Sequence, residues 1–504
     1  MTTLSLASVL AEPALRRPDH VAVVEIGAGG TVRTTYAELW HQARGHAAGL
    51  VARGIGPGDR VALMAPNVTD FIRGYFGIVA AGATVVPVPT LLNRREVAGL
   101  LQQSGALTVL HHPVTAEVAT AAAEELGVAS VALAGLGEGV EPLATFVTRS
   151  PEDAAVVFYT SGTTGRPKGA VLTHLNLVMN AIVNAFDGNV MHADDVVMGC
   201  LPLFHTFGQS VSMNTTFRVG GTLVLQPRFD PDQALAIMVE EQATLFFGVP
   251  TMYVHLLEAA QRTDARPHLR DCVSGGASLP VALLERFEET FSTTVFEGYG
   301  LSETSPSATV NQRTFGRRPG TVGHAIWGVD VEVADPERQD EVVLLPAGSL
   351  GEVVVRGHNV FAGYLDDPAA TEQAVVDGWF RTGDLGTKDT EGFVSIVDRL
   401  KDLIIRGGFN VYPREVEEVL SRHEAVAQVA VVGLPDDVHG EEVCAVVVPT
   451  APEAVDADEL RAWAREQLGG HKYPRIVEVV PELPLGPSHK VLKRELRRQL
   501  ATRS

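Results

Sequence analysis

The stretch YTSGTTGRPKGA, residues 159–170, separates two segments of contrasting pattern. The apolar run at residues 154–160 is typical of a buried strand, and THLNLVMNAIVNAF after the stretch is typical of a helix with Thr173 as its N-cap. Two glycines let backbone amides point towards an anion, and Lys168 adds a positive charge. Further donors are the hydroxyls of Thr160, Ser161, Thr163 and Thr164. The pattern therefore predicts a polyphosphate-binding loop between a strand and a helix.

This loop differs from the common nucleotide-binding P-loop, GxxxxGK[ST], because the chain contains no Gly-Lys dipeptide. Its composition alone favours an ordinary Gly/Ser surface loop. The sequence also lacks a G-x-S-x-G nucleophile elbow, an HExxH zinc motif and a Rossmann GxGxxG motif. A different nucleotide chemistry is therefore expected.

The composition is that of a folded multidomain protein, with 504 residues of which 45% are hydrophobic and 20% charged. A chain of this length is expected to form about two to four domains or subdomains. Its formal charge of −21 argues against binding to nucleic acid or to an anionic lipid surface. The cysteines Cys200, Cys272 and Cys444 show no CxxC spacing, which predicts buried side chains in a reducing compartment. Lacking a long apolar run and a basic leader, the protein is expected to be cytoplasmic without a transmembrane segment.

The pattern along the chain predicts an α/β and α+β multidomain protein. Helical patterns alternate with short apolar strands over residues 1–328, which predicts two α/β layers. Short β-rich segments at residues 329–398 predict a small barrel-like subdomain that completes a large N-terminal domain, residues 1–398. A hinge at residues 399–402 is expected to lead to a small, mobile C-terminal α+β domain at residues 403–504.

The stretch at residues 159–170 resembles the signature loop of the adenylate-forming (acyl-activating) superfamily. That superfamily includes acyl-CoA synthetases, coumarate-CoA ligases, peptide-synthetase adenylation domains and firefly luciferase. The resemblance spans nearly the whole chain, since further signatures follow in the family's order. These are LPLFHTFG at 201–208, VSGGASLP at 273–280, EGYGLSETSP at 297–306, WFRTGDLG at 379–386, DRLKDLIIRGGFNVYPREVE at 398–417 and LPLGPSHKVLKREL at 483–496. The closest type within the superfamily is the fatty acyl-CoA synthetase, or acyl-CoA ligase.

The resemblance implies a site for ATP, Mg²⁺ and a carboxylic acid in the large domain. His205 is expected near the substrate carboxylate, Tyr299 against adenine and Ser302 at the α-phosphate. Glu303 and Thr163 are expected to hold Mg²⁺, which prefers hard oxygen ligands. The nucleotide- and CoA-binding residues implied by the resemblance are Thr160, Ser161, Gly162, Thr163, Thr164, Gly165, Lys168, Gly276, Ala277, Glu297, Gly298, Tyr299, Gly300, Ser302, Asp384, Arg399, Gly407 and Gly408.

The resemblance also assigns roles around the hinge. Asp384 is expected to bind both ribose hydroxyls, with Arg399 as its neighbour. Lys401 is expected near the pivot, and the pair Gly407 and Gly408 beside the thiol of coenzyme A in the thioester-forming state.

Lys490 corresponds to the C-terminal catalytic lysine of the family. A compact charge on a flexible stem can bridge the attacking carboxylate and the α-phosphate. The family usually has glycine before this lysine, whereas this chain has His489. This change affects the flexibility of the loop, because glycine adopts backbone conformations that histidine resists. The expected catalytic residues are Lys490, His205 and Lys401.

The implied reaction couples a carboxylic acid to coenzyme A through an acyl-AMP intermediate, with release of pyrophosphate. Malonate-activating relatives carry an arginine just before the tyrosine of the YG motif, whereas this chain has Gly298, which favours a monocarboxylic acid. A medium- or long-chain fatty acid is the first expectation, and an aryl or short branched acid is the second. Transfer to an acyl carrier protein and assembly into a homodimer are left open. A non-catalytic nucleotide-binding protein is disfavoured, because every expected catalytic residue is present.

Overall fold

The computed structural model describes residues 2–27, 29–160, 167–451, 454–486 and 490–501. These ranges leave out His489 and five of the predicted phosphate-binding residues, which are Ser161, Gly162, Thr163, Thr164 and Gly165. The predictions for those six residues therefore lie outside the described part of the chain.

Helices and strands alternate through most of the described chain. The helices are α1 Ser8–Arg16, α2 Tyr36–Val51, α3 Thr69–Ala80, α4 Arg94–Ser104, α5 Ala116–Leu126, α6 His174–Val183, α7 Thr215–Val219, α8 Pro231–Glu240, α9 Pro250–Ala260, α10 Val281–Phe291, α11 Pro368–Ala374, α12 Pro413–Leu420, α13 Ala457–Gln467 and α14 Lys493–Ala501. The strands are β1 Val21–Gly27, β2 Gly30–Thr35, β3 Arg60–Met64, β4 Thr84–Pro87, β5 Thr108–His111, β6 Ala129–Ala132, β7 Ala154–Thr160, β8 Lys168–Thr173, β9 Val196–Gly199, β10 Thr222–Leu225, β11 Leu245–Gly248, β12 Asp271–Ser274, β13 Thr294–Gly300, β14 Ser307–Val310, β15 His324–Ala325, β16 Val329–Ala334, β17 Gly351–Gly357, β18 Gly363–Tyr364, β19 Val375–Val376, β20 Trp379–Lys388, β21 Val394–Arg399, β22 Ile404–Arg406, β23 Phe409–Val411, β24 Val426–Asp436, β25 Gly440–Pro449 and β26 Ile476–Val479.

The described strands up to β15, together with β18, form two large, mainly parallel sheets. One has the strand order β18-β8-β7-β4-β3-β5-β6, and the other has the order β15-β14-β13-β12-β11-β9-β10-β1-β2. Their central strands are short and buried along their whole length, as in β4 and β11, because helices cover both faces of a parallel sheet. The two predicted α/β layers are confirmed.

The following segment forms a five-stranded antiparallel sheet, with β16-β17-β20-β19 in order and β21 paired to β20. This sheet corresponds to the predicted β-rich subdomain. One short strand of the segment, β18, instead joins the first large sheet, where Gly363 and Tyr364 pair with Val171 and Ala170 of β8. A two-residue strand carries no periodicity, so the sequence pattern does not predict this crossing.

The C-terminal residues form a separate α+β unit. Its sheet has the order β23-β22-β25-β24, with β26 paired to β25. Helices α12 and α13 pack on it through Val416, Leu420, Leu460 and Ala464, which are buried together with apolar residues of the sheet. A large N-terminal domain and a small C-terminal domain are thus present, as predicted.

Local predictions made around the signature loop are also confirmed. Thr173 caps α6, since its Oγ1 accepts a 3.1 Å hydrogen bond from the amide of Asn176.

The three cysteines are buried and free, and burial raises the pKa of the Cys272 and Cys444 thiols to about 12. Among the described helices, none is both long and apolar enough to cross a membrane.

Candidate active site

A cavity of about 820 Å³ lies at the carboxyl ends of β7, β12 and β13. Crevices at the carboxyl ends of parallel strands are the usual ligand sites of α/β sheets, because the loops that follow the strands converge there. Residues of the five-stranded sheet and of the C-terminal domain close the cavity. The predicted site residues that line it are Thr160, Lys168, His205, Gly276, Gly298, Tyr299, Gly300, Ser302, Glu303, Asp384, Arg399, Lys401 and Lys490.

Asp384 is held from both sides. The phenolic hydroxyl of Tyr299 donates a 2.7 Å hydrogen bond to its Oδ2, and Nε of Arg399 lies 3.3 Å from its Oδ1. The second contact follows from strand pairing, since Asp384 of β20 is directly opposite Arg399 of β21. Burial raises the pKa of Asp384, and the charge of Arg399 opposes that shift. Each carboxylate oxygen keeps a lone pair free to accept a ligand hydroxyl.

Lys490 brings the C-terminal domain into the cavity. Burial and, to a lesser extent, the nearby charge of Arg399 lower the pKa of its amine to about 8, against an opposing effect of Asp384. The amine is therefore mostly protonated at neutral pH, although it is far more acidic than an exposed lysine.

His205 faces the same cavity as a neutral imidazole. Burial, with a smaller effect of the Lys490 charge, lowers its pKa to about 3. Its Nδ1 accepts a 3.3 Å hydrogen bond from the amide of Phe207, so the ring proton resides on Nε2. A neutral ring with a donor at Nε2 can hydrogen-bond to a carboxylate without adding charge to the site.

Glu303 presents a buried carboxylate that suits a divalent metal. The Tyr364 hydroxyl donates to its Oε1 at 2.9 Å, and Oγ1 of Thr160 lies 3.5 Å from the same oxygen. Lys168 stacks its ammonium over the Tyr364 ring, 5.0 Å from the centroid. Among the described residues, no cation forms an ion pair with this carboxylate, and a carboxylate oriented by hydroxyls is the type of hard oxygen ligand that Mg²⁺ prefers. Glu303 therefore fits the predicted metal role, and its predicted partner Thr163 lies outside the described residues.

Close approach of the backbone requires glycine at position 300. A Cβ atom there would lie 1.7 Å from the carbonyl oxygen of Pro306, far inside contact distance. The glycine lets the turn after β13 fold tightly, and the neighbouring Ser302 then faces Thr206, with 3.4 Å between the two hydroxyl oxygens.

Comparison with known proteins agrees with this geometry. A family model described as AMP-binding enzyme matches residues 10–365, and a model of the AMP-binding enzyme C-terminal domain matches residues 415–490. The chain belongs to the AMP-binding enzyme family. It is an AMP-forming acyl- or aryl-CoA ligase, and the resemblance noted in its sequence is confirmed.

Relatives of this ligase act on several kinds of acid. A feruloyl-CoA synthase of Amycolatopsis sp is 39% identical over 473 residues, covering 94% of this chain and 94% of the relative. A long-chain-fatty-acid–CoA ligase of Bacillus subtilis (strain 168) is 34% identical over 533 residues, covering 98% of this chain and 94% of the relative. The crystal structure of ATP-bound MatB from Rhodopseudomonas palustris superposes with a TM-score of 0.90 at 34% identity, covering 98% and 99% of the two chains.

Some predicted residues of the ligase lie away from the cavity. Glu297 is buried behind the cavity wall, where its Oε1 accepts a 3.3 Å hydrogen bond from the amide of Leu279. Ala277 is exposed beyond Gly276. Gly407 and Gly408 form the exposed turn between β22 and β23, at the surface of the C-terminal domain.

The ligase site also contains residues that the motifs do not predict. Tyr364, which orients Glu303, comes from the short strand β18, and only its pairing with β8 places it there. The apolar residues that line the cavity include Phe204, Phe207, Val211, Leu301 and Val310. Phe204 and Phe207 belong to the LPLFHTFG motif and Leu301 to the EGYGLSETSP motif, so the signatures contain three of the five, whereas Val310 reaches the cavity through β14.

Proposed function

We propose that this protein activates a monocarboxylic acid with ATP as acyl-AMP, releasing pyrophosphate, and then transfers the acyl group to coenzyme A. The observation that carries the proposal is the position of Lys490, whose ammonium shares one cavity with His205 and with the Tyr299–Asp384 pair. A lysine donated by the small domain to a site built by the large domain suits a reaction that needs a movable positive charge.

In the first step, a carboxylate oxygen of the acid would attack the α-phosphorus while the bond to pyrophosphate breaks. No protein nucleophile is required, so catalysis depends on positioning and on stabilisation of negative charge. Asp384 would orient the ribose, Tyr299 would lie against adenine, Ser302 would contact the α-phosphate, and Lys490 would stabilise the charge that develops between the two reactants.

Mg²⁺ would be held by Glu303 and Thr163 and would neutralise phosphate charge. The phosphates would lie against Lys168 and the loop before it, which includes Ser161, Gly162, Thr164 and Gly165. Lys168 lines the same cavity as Glu303, so the described residues fit this arrangement.

In the second step, the thiol of coenzyme A would attack the acyl carbonyl, lose its proton and displace AMP. We propose residues 1–398, 399–402 and 403–504 as large domain, hinge and small domain, with Lys401 near the pivot. Rotation about the hinge would withdraw Lys490 and bring Gly407 and Gly408 to the cavity. Hinge closure of this kind is common among enzymes that bind large substrates.

A medium- or long-chain fatty acid is the proposed substrate class. Apolar side chains line the cavity, and Gly298 offers no charge to a second carboxylate. An aryl acid is the second candidate, favoured by the 39% identity to a feruloyl-CoA synthase. An acyl carrier protein in place of coenzyme A and a homodimeric assembly are further proposals that the same purified protein can test.

The proposal is tested by incubating the protein with ATP, Mg²⁺ and a panel of acids, with and without coenzyme A, and measuring AMP, pyrophosphate and thioester by mass spectrometry. The panel contains octanoate, palmitate, benzoate and ferulate. We expect AMP and thioester with at least one fatty acid. If ferulate is the only acid that yields thioester, the substrate class is an aryl acid and not a fatty acid. Acyl-AMP without thioester would favour a carrier protein as the acyl acceptor. The absence of any product with every acid would contradict the proposed activity.

A further inference from the structure

Asp398 joins the two domains at the hinge. It belongs to β21, the last strand of the five-stranded sheet, and is buried. Its Oδ2 accepts a 2.9 Å hydrogen bond from the amide of Arg414, which is the second residue of α12 in the C-terminal domain. Its Oδ1 accepts a 2.8 Å bond from the amide of Arg399. A carboxylate of the large domain thus satisfies an amide at the start of the first helix of the small domain.

Helix α12 has no cap of its own. Its N-cap residue, Tyr412, makes no side-chain hydrogen bond to the helix amides. The first amides of a helix lack intrahelical acceptors, and a negative charge beside them is stabilising. Asp398 supplies both the acceptor and the charge. The Arg414 side chain adds a second link, since its Nη1 donates to the carbonyl oxygen of Ile396 in the same strand.

The contact is connected to Lys490 through one further ion pair. Glu417 of α12 binds Lys493 of α14, with 2.6 Å between Oε1 and Nζ. Lys493 follows Lys490 by three residues, so α12 is tied at one end to the large domain and at its middle to the segment that carries Lys490. Loss of the first contact leaves the Arg414 side chain to hold α12 to β21, so the segment that carries Lys490 is restrained less firmly.

We infer that Asp398 is a positioning residue that caps α12 across the hinge and thereby keeps Lys490 in the cavity. The inference rests on the proposed two-step function, because positioning of Lys490 matters for acyl-AMP formation and not for thioester formation from a supplied acyl-AMP.

The test compares Asp398→Ala, Asp398→Asn and Asp456→Ala. Asp456 caps α13 through the amides of Asp458 and Glu459, entirely within the C-terminal domain, so its replacement removes an equivalent cap without touching the hinge. We expect Asp398→Ala to lower kcat of acyl-AMP formation about tenfold, the equivalent of about 1.4 kcal/mol. KM for ATP and thioester formation from acyl-AMP should change less than about twofold. The kcat of Asp398→Asn should lie between those of the wild type and Asp398→Ala, since the amide oxygen of the asparagine still accepts the hydrogen bond from Arg414.

A second readout follows Lys490 without turnover. The chain has six lysines, so labelling by an amine-reactive reagent can be mapped by mass spectrometry. Lys490 should label faster in Asp398→Ala than in the wild type and in Asp456→Ala. Equal labelling in all three proteins, or equal losses in both half-reactions, would overturn the inference. If the wild type activates no acid, the proposed function fails, while the labelling still reports whether Asp398 positions Lys490.

Discussion

The side chain of Lys490 passes directly over Gly276. A Cβ atom at position 276 would lie 2.9 Å from Cε of the lysine and 3.4 Å from its Nζ. Gly276 also has a φ of +81°, a conformation that residues with a side chain rarely adopt. The loop after β12 therefore leaves room for a lysine that is supplied by the other domain.

Replacement of Gly276 by alanine should displace Lys490. We expect Gly276→Ala to lower acyl-AMP formation by about tenfold or more, because the added methyl group occupies the path of the lysine stem. The matched control is Gly316→Ala, where φ is +85° and a Cβ would meet no atom within 4 Å. Both changes carry similar backbone strain, so equal losses of acyl-AMP formation, measured as ATP–pyrophosphate exchange, would contradict the assigned contact.

Acyl-AMP formation should depend on the charge of Lys490. The amine is protonated below its pKa of about 8, so the rate should fall as pH rises through about 8. Lys490→Arg should move this decline to higher pH, because arginine stays protonated. Lys490→Ala should nearly abolish the step at every pH. Thioester formation, measured with acyl-AMP supplied to the enzyme, should survive Lys490→Ala. Equal loss of both steps would refute a role of Lys490 in acyl-AMP formation alone.

Loss of the Tyr299 hydroxyl should weaken ATP binding. Tyr299→Phe removes the 2.7 Å hydrogen bond that orients Asp384 and leaves Arg399 as the other restraint on that carboxylate. One charged hydrogen bond contributes about 1.5–3 kcal/mol, so KM for ATP should rise by about tenfold or more. KM for the acid should change little. The control is Tyr473→Phe in the C-terminal domain, and an unchanged KM for ATP in Tyr299→Phe would disprove the role of the pair.

Glu297→Gln should stabilise the protein at alkaline pH. Burial raises the pKa of Glu297 to about 7, while the charge of Arg414 and the amides of Leu279 and Gly320 oppose that shift, and Glu418 adds to it. The folded protein thus binds a proton more tightly than the unfolded chain does, and stability is lost as pH rises from about 4.5 to about 7. The variant avoids this loss, at most about 3 kcal/mol. Its Tm should exceed that of the wild type at pH 8 and match it near pH 4.5, and a lower Tm at pH 8 would contradict the assignment.

Prediction from the sequence succeeded where motifs and local pattern carry the information. The strand before residue 160, the Thr173 cap, the α/β layers and the gathering of His205, Tyr299, Asp384 and Lys490 in one cavity agree with the structure. Tyr364 escaped prediction because its strand has two residues and pairs with β8 far away in the chain. Side-chain contacts between distant segments leave no periodic signal in either segment.

The sequence by itself determined the family, because the signature motifs are continuous stretches whose loops, caps and glycine turns depend on neighbouring residues. The tertiary structure alone decided that Lys490 lies over Gly276, that Asp398 caps α12 and that Glu297 lies behind the cavity wall. These relationships depend on how sheets and domains pack. The pKa of a buried group depends on residues that are remote in the chain, and so does the space available to a side chain such as Lys490.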